Sequence, residues 1–159
     1  MAHKINRLLL TGAAGGLGKA LRPRLHQFAT VVRLSDVADL DAVPAHEEAV
    51  QCDLGDYEGV LALLDGVDAV VHLGGMSIDG PFEPILNANI RGVYNLYEGV
   101  RQKGVKRVVF ASSNHVIGFH KQSDRLDATA PMRPDGNYGV SKAFGELLSR
   151  FYFDRYGVE

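Results

Sequence analysis

The sequence predicts an α/β fold built on a doubly wound parallel sheet. Short apolar runs alternate with longer amphipathic stretches along the whole chain, which is the pattern of repeated βαβ units. The run at residues 69–73 is apolar except for His72, as expected for a parallel strand that is buried on both faces. A glycine-rich turn at residues 12–18 joins the first apolar run to the first amphipathic stretch. These three observations together favour a parallel sheet covered by helices.

Five strands are predicted, at residues 5–11, 30–35, 48–52, 69–73 and 107–111. Helices are predicted at residues 16–27, 56–64, 82–103 and 138–156, and glycines at 66, 104 and 157 stop the last three. Apolar side chains recur at helical spacing through residues 85–100. A sixth strand is expected after Gly157, but the chain ends at Glu159. We therefore expect the five-stranded sheet to finish on an unprotected apolar edge.

Composition excludes several classes of function. The chain is 46% hydrophobic and 23% charged with a net charge of −2, so it has no basic field for nucleic acid or an anionic membrane surface. Cys52 is the only cysteine, which excludes a disulfide framework and a thiolate zinc site. The histidines lack paired metal-ligand spacing, and His72 is expected to be a hydrogen-bonded core residue. No apolar run approaches the roughly 18 residues of a membrane span, and no signal peptide is evident, so we expect a soluble, cytoplasmic protein without a metal.

The glycine turn points to a dinucleotide. Gly12 would allow the tight turn, Gly15 would let the backbone approach a pyrophosphate, and Gly18 would let the helix pack on the strand. Gly16 and Leu17 follow at the helix N-terminus, where free N–H groups and the helix dipole attract phosphates. A merely glycine-rich connection is the alternative for the turn alone. Its position between a predicted strand and a predicted helix favours a Rossmann-type cofactor site.

Two acidic residues at strand ends extend this prediction. Asp36 lies eighteen residues after Gly18, where a carboxylate can accept the ribose hydroxyls of NAD and would repel the 2′-phosphate of NADP. Arg33 precedes the strand end and is expected to point elsewhere. Asp53 and Leu54 end the third strand and would contact the adenine. The alternatives are a solvated loop residue for Asp36 and a helix-capping residue for Asp53.

A tyrosine and a lysine supply the candidate chemistry. Tyr138 and Lys142 are four residues apart, so they share one face of the last predicted helix. A neighbouring ammonium favours the phenolate, which could then take a proton from a substrate hydroxyl while hydride leaves for the nicotinamide. Ser113, at the end of the fifth strand, could hold the same hydroxyl. The alternative is an ordinary surface helix, but the third group makes an oxidoreductase the better interpretation.

These residues together resemble the extended short-chain dehydrogenase/reductase family, in which a serine precedes the tyrosine by the 25 residues that separate Ser113 from Tyr138. Within that family, the chain is most similar to the uronate dehydrogenases. The segments that carry this resemblance are residues 52–54, 72–77, 110–118, 133–136 and 151–157.

The resemblance implies NAD-dependent oxidation of a sugar acid, D-glucuronate or D-galacturonate, at C1 to give the aldarolactone. It makes Tyr138 the general base, Lys142 the residue that tunes it and holds the nicotinamide ribose, and Ser113 the residue that orients the hydroxyl. It implies that the sugar is contacted by Ser77, Ile78, Asp79, Asn114 and His115, and the dinucleotide by Leu73, Gly74, Gly75 and Asn89.

The resemblance also implies what this chain lacks. Uronate dehydrogenases carry a substrate-carboxylate arginine and a sixth strand in a C-terminal portion that is absent here. We therefore expect residues 1–159 to be a truncated NAD-binding Rossmann domain with doubtful turnover. Related dehydrogenases form dimers through the helices that correspond to residues 82–103 and 138–156, so a homo-oligomer is expected. Its interface would use the aromatic side chains Tyr94, Tyr97, Phe151, Tyr152 and Phe153.

Two other functions are weighed against this one. A nucleotide-sugar epimerase or dehydratase of the same superfamily would more often have an alanine pair in place of Gly74 and Gly75, and an aromatic residue in place of Ile117. A non-catalytic NAD-binding protein would usually have lost the tyrosine or the lysine, and Tyr138 and Lys142 are both present.

Overall fold

The computed structural model describes residues 5–40 and 43–159, so residues 1–4 and 41–42 of the expected domain lie outside it. All five predicted strands are confirmed: β1 (Ile5–Thr11), β2 (Ala29–Asp36), β3 (Glu47–Gln51), β4 (Ala69–His72) and β5 (Arg107–Phe110). The α-helices are α1 (Gly16–Leu25), α2 (Tyr57–Leu63), α3 (Phe82–Ile85), α4 (Gly92–Lys103) and α5 (Asn137–Tyr156). A π-helical segment, Leu86–Arg91, and a 3₁₀ turn, Asn114–Ile117, complete the order.

The strands form one parallel sheet in the order β3-β2-β1-β4-β5. The chain builds outwards from β1 to β3, then returns to the other side of β1 to add β4 and β5. The direction of winding therefore reverses between β1 and β4. In open α/β sheets, ligands bind at this point, outside the carboxyl ends of the strands. The doubly wound fold class predicted from the sequence is confirmed.

The core has two halves, one on each face of the sheet. Leu8 and Leu10 of β1 point to the face covered by α1, whereas Leu9 points to the face covered by α2, α4 and α5. All three side chains are buried. This explains why β1 reads as a continuous apolar run, since each successive side chain enters a packed layer.

The β5 edge of the sheet is partly paired by the end of the chain. The Glu159 N–H donates to the Lys106 carbonyl at 2.8 Å, and the Val108 N–H donates to the Glu159 carbonyl at 2.7 Å. This pair of bonds is the pattern of a parallel ladder. Val109 remains 56% exposed on the same strand.

Helices α4 and α5 pack against each other through two tyrosines. The rings of Tyr97 and Tyr152 lie 5.4 Å apart between centroids, and both residues are buried. Their predicted place in an intersubunit contact is therefore wrong, because both rings already fill the core of this chain. Tyr94, Phe151 and Phe153 are exposed, as such a contact would require. No helix within the described ranges is long and apolar enough to cross a membrane.

Candidate active site

One cleft of about 700 Å³ lies at the carboxyl ends of β1 and β4, where the winding reverses. It brings together most of the residues predicted for the site: Gly12, Gly15, Gly16, Leu17, Gly18, Asp36, Asp53, Leu54, Leu73, Gly74, Gly75, Ser77, Tyr138 and Lys142. Residues that sequence reasoning did not single out also line it, among them Thr11, Ala14, Ser35, Met76, Ala88, Ala111 and Ser112. The glycine turn and the tyrosine–lysine pair therefore belong to the same cavity.

The glycine turn is shaped by backbone proximity. Gly12 has φ = 71°, and a Cβ there would lie 2.8 Å from the backbone nitrogen of Gly74. A Cβ at Gly18 would overlap the carbonyl oxygen of Gly12. By contrast, a Cβ at Gly16 would meet no atom within 4 Å, because this residue faces open space at the start of α1. The first N–H groups of α1 have no partner within the helix, so the turn presents donors suited to phosphate.

Asp36 is tied to the glycine turn at the end of β2. One carboxylate oxygen accepts the Ala14 N–H at 3.0 Å, and the other accepts the Ala38 N–H at 3.1 Å. Each oxygen keeps a further lone pair for a ligand hydroxyl. Arg33 points away, as expected, and donates to Glu48 at 2.7 Å and to the Leu63 carbonyl at 2.7 Å. Among the residues that the structure describes, the cleft lining at the end of β2 includes the Asp36 carboxylate and no arginine.

Asp53 lies on the same side of the cleft. Its carboxylate accepts the Gly55 N–H at 2.8 Å, which closes a local turn. The residue at the N-cap of α2 is Asp56, whose side chain makes no capping hydrogen bond. The alternative of a helix-capping Asp53 is therefore not what the structure shows.

Tyr138 and Lys142 stand on the first turns of α5, at the other end of the cleft. They are 9% and 6% exposed, respectively. The Lys142 Nζ donates to the Ala111 carbonyl at 2.9 Å and lies 5.7 Å from the centre of the Tyr138 ring. Burial lowers the pKa of Lys142, because the protein interior disfavours its charged form. The Lys142 ammonium is therefore held beside the Tyr138 ring.

The residues after β5 form the mouth of the cleft. Ser113 caps the 3₁₀ turn, and its hydroxyl accepts the His115 N–H at 3.2 Å. The His115 ring lies edge-on to the Tyr138 ring, 5.6 Å away, and its Nδ1 lies 2.9 Å from the Asp135 carboxylate. His115 thus lies against Tyr138, and none of Ser113, Asn114 and His115 lines the cavity itself. Of the two serines that follow β5, Ser112 lines the cavity, and its hydroxyl is bonded to the Glu146 carboxylate.

Asn89 differs most from expectation. It was predicted to reach the dinucleotide, but it is 3% exposed and its amide is already engaged. Its oxygen accepts the Met76 N–H at 2.7 Å, and its nitrogen donates to the Met76 carbonyl at 3.1 Å and to the Ser141 hydroxyl at 2.9 Å. Asn89 therefore supports the backbone of Met76, which lines the cleft, from outside the cavity. The π-helical segment places it there, and such segments are frequent at functional sites.

Ile78 and Asp79, predicted to contact the sugar, lie outside the cavity on the loop after β4. Ile78 is 67% exposed. The Asp79 carboxylate accepts the Tyr138 N–H at 2.8 Å, so it is bound to the start of α5. Neither the pairing of Asp79 with α5 nor that of Asn89 with Met76 has a local sequence signal, because each joins residues far apart in the chain.

His72 links the glycine turn to β4. Its Nδ1 lies 2.7 Å from the Thr11 hydroxyl oxygen, which also accepts the Gly74 N–H at 3.1 Å. The expectation of a hydrogen-bonded core histidine is met at this nitrogen only, since Nε2 has no partner within the part of the chain that the structure describes. Burial lowers the pKa of His72 to about 3, so the ring is neutral.

Comparison with known proteins agrees with this geometry. The chain is 59% identical over 155 residues to a uronate dehydrogenase of Pseudomonas syringae pv. tomato, across 97% of this chain and 56% of that protein. A solved uronate dehydrogenase from Agrobacterium tumefaciens, a tyrosine-to-alanine mutant complexed with NAD, superposes with a TM-score of 0.95 at 54% identity, across 97% of this chain and 58% of that one. A glucuronic acid dehydrogenase from Chromohalobacter salexigens gives a TM-score of 0.96 at 52% identity, across 98% of this chain and 58% of that one.

The chain spans a little over half the length of the curated uronate dehydrogenases that it matches. A family model covers nearly all of it, from residue 8 to residue 159. The glycine turn, the strand order and the tyrosine–lysine pair all fall within those residues. On this match, the chain belongs to the NAD dependent epimerase/dehydratase family.

Proposed function

We propose that this chain is the NAD-binding domain of a dehydrogenase that oxidises a hexuronate, D-glucuronate or D-galacturonate, at C1 to the aldarolactone. The observation that carries the proposal is one cleft with a glycine turn and Asp36 at one end and Tyr138 with Lys142 at the other. The names of the relatives support a uronate as substrate, since the chain is more than half identical to uronate dehydrogenases.

The residues present fit NAD. The turn at Gly12 leaves the N-terminus of α1 uncovered for a pyrophosphate, and the open space at Gly16 lets that group come close to the backbone. In this proposal the Asp36 carboxylate, which lines the cleft, accepts the two ribose hydroxyls and would repel a 2′-phosphate. NAD, when bound, supplies the hydride acceptor.

Tyr138 acts as the general base in this proposal. The C1 hydroxyl of the sugar gives its proton to the phenolate oxygen, the C1–H bond breaks as hydride leaves, and the C–O bond becomes the lactone carbonyl. Lys142 is held by the Ala111 carbonyl, so its charge stays beside the ring throughout. In this proposal Ser113, whose hydroxyl caps the 3₁₀ turn that carries His115, holds the same hydroxyl together with Asn114 and His115.

The proposal extends to the assembly and its location. Tyr94, Phe151 and Phe153 leave apolar surface exposed on α4 and α5, which supports a homo-oligomer that pairs these helices. A cytoplasmic location stays a prediction of the sequence.

The experiment is to add NAD with D-glucuronate or D-galacturonate to the full-length dehydrogenase that carries this domain and follow NADH absorbance. We expect NADH from at least one uronate, and none from Tyr138→Phe, which should keep its NAD affinity because the phenol oxygen lies at the far end of the cleft from the glycine turn. A full-length protein that binds NAD but forms no NADH with either uronate would contradict the proposed activity. Conversion of a nucleotide sugar without net NADH would instead indicate the epimerase or dehydratase alternative.

A further inference from the structure

The first turn of α5 has no capping residue of its own. Its N-cap is Gly136, which has no side-chain oxygen to offer the free N–H groups of the turn. Tyr138 is the second residue of this helix, and its N–H is one that an N-cap side chain normally accepts. The candidate base therefore stands on a helical turn that must be held by something else.

Asp79 supplies the missing cap from 59 residues away. Its Oδ1 accepts a hydrogen bond from the Tyr138 N–H at 2.8 Å, and the neighbouring Gly80 carbonyl accepts one from the side-chain amide of Asn137 at 3.2 Å. A carboxylate at a helix N-terminus also interacts favourably with the helix dipole. The loop after β4 and the start of α5, which are far apart in the chain, are thus joined by two hydrogen bonds.

The glycine at 136 makes room for this contact. A Cβ at Gly136 would lie 2.6–2.8 Å from the three atoms of the Asp79 carboxylate. Any larger residue there would push the carboxylate off the Tyr138 amide, although the flexible end of the aspartate could move aside without unfolding the chain. Gly136 has φ = −170°, which any residue adopts, so the close approach of Asp79 is the reason that a side chain is excluded here.

A second set of hydrogen bonds holds the same loop. Asn89 binds both backbone groups of Met76 and donates to the Ser141 hydroxyl, which in turn donates to the Tyr138 carbonyl at 2.7 Å. The segment from Met76 to Gly80 is therefore fastened to the first turn of α5 at both of its ends. The Tyr138 N–H is bonded directly to this loop, and the Tyr138 carbonyl is linked to it through Ser141 and Asn89.

We propose that Asp79 is a positioning residue for Tyr138, which it holds by capping α5 from a distant loop of the same chain, and that it does not contact the sugar. The catalytic meaning of this contact rests on the proposed function, because Tyr138 is the base only there. The capping contact itself does not depend on any activity. The two are therefore tested by different measurements.

The structural test uses NMR of the 159-residue chain. Asp79→Ala should raise the hydrogen-exchange rate of the Tyr138 amide by about five- to tenfold, the effect of losing one helix cap. It should also shift the ring resonances of His115, because that ring lies against the Tyr138 ring. Gly136→Ala should reproduce both changes without altering any charge. Asp79→Asn, which keeps an acceptor oxygen, should restore both.

The matched control is Asp127→Asn, which alters a carboxylate bonded to Thr129 within its own loop and should leave Tyr138 and His115 unchanged. Unchanged exchange at Tyr138 in both Asp79→Ala and Gly136→Ala would overturn the proposal. Absence of uronate oxidation by the full-length dehydrogenase would contradict only the proposed function, because hydrogen exchange is measured without substrate.

The kinetic test separates positioning from sugar binding. If Asp79 positions the base, Asp79→Ala lowers kcat with the KM for NAD and for the sugar unchanged, and Asp79→Asn recovers most of the rate. A raised KM for the sugar, with no recovery in Asp79→Asn, would show that Asp79 contacts the sugar and would overturn the proposal.

Discussion

Replacing Gly12 with alanine tests whether the turn after β1 needs a residue without a side chain. Its φ of 71° is a left-handed conformation that costs an alanine about 1–2 kcal/mol. The added Cβ would also lie 2.8 Å from the Gly74 nitrogen and 2.8 Å from the Leu73 carbonyl carbon, backbone atoms that cannot rotate away. Overpacking of this kind costs about 1–3 kcal/mol more. We expect Gly12→Ala to lower the free energy of unfolding by about 2–5 kcal/mol.

Thermal unfolding followed by far-UV circular dichroism measures this loss. At about 2–4 °C per kcal/mol for a chain of this size, the unfolding midpoint should fall by about 4–20 °C. Gly16→Ala is the matched control, because its Cβ meets nothing within 4 Å and alanine is favoured in the first turn of α1. Its midpoint should hold or rise slightly, while its NAD affinity falls because Gly16 lines the cleft. A Gly12→Ala protein as stable as Gly16→Ala would refute the reasoning.

Two further predictions concern charge. Lys142→Met should end NADH formation without lowering the unfolding midpoint, because it removes a desolvated cation from the cleft. In the unchanged chain the pKa of Lys142 is lower in the folded state than in the unfolded state, so the unfolded state holds the Lys142 proton more tightly. The free energy of unfolding should therefore rise as pH increases from the lowered pKa towards the ordinary value of 10.5. Lys142→Met should lack that rise. Glu98→Gln should cost about 0.5–1 kcal/mol at neutral pH, since the Glu98 carboxylate accepts hydrogen bonds from Arg101 and from the Tyr152 hydroxyl. The hydrogen bond from Arg101 is the main reason that the pKa of Glu98 is lowered to about 2. The unchanged chain should therefore lose this stability as pH falls from about 4.5 to about 2, and Glu98→Gln should not. Melting curves across that pH range measure the difference.

The sheet and the glycine turn could be predicted because their signals are local. Strands β1, β2, β4 and β5 are short runs rich in apolar residues, and Gly12 and Gly18 stand where β1 ends and α1 begins. What the sequence could not show is how the long stretch 82–103 winds. Its apolar spacing fits a continuous α-helix, but the backbone takes a π-helical turn at Leu86–Arg91. That turn is stabilised by Asn89 and its bonds to Met76, which no periodicity reveals.

Burial of the tyrosines was also beyond the sequence. Tyr94 and Tyr97 differ by less than one helical turn, so spacing alone left both as candidates for an outer surface. The structure separates them because the Tyr97 ring meets Tyr152 between α4 and α5, whereas Tyr94 faces outwards. Which side of a helix is covered depends on the neighbour that packs there, and that neighbour is found only in the fold.

The two ends of the cleft differ in how they are built, and this decides what a family resemblance can transfer. The end at the glycine turn is made mostly of backbone, and Gly12 and Gly16 shape it because they have no side chain, so a matching motif already describes its physical form. At the other end, polar side chains are bound to one another, as Asp79 is to the Tyr138 amide and His115 to Asp135. A motif match in this part fixes the identity of a side chain but not its partner. A role such as sugar contact at Asp79 therefore has to be tested against the hydrogen bond that the residue already makes.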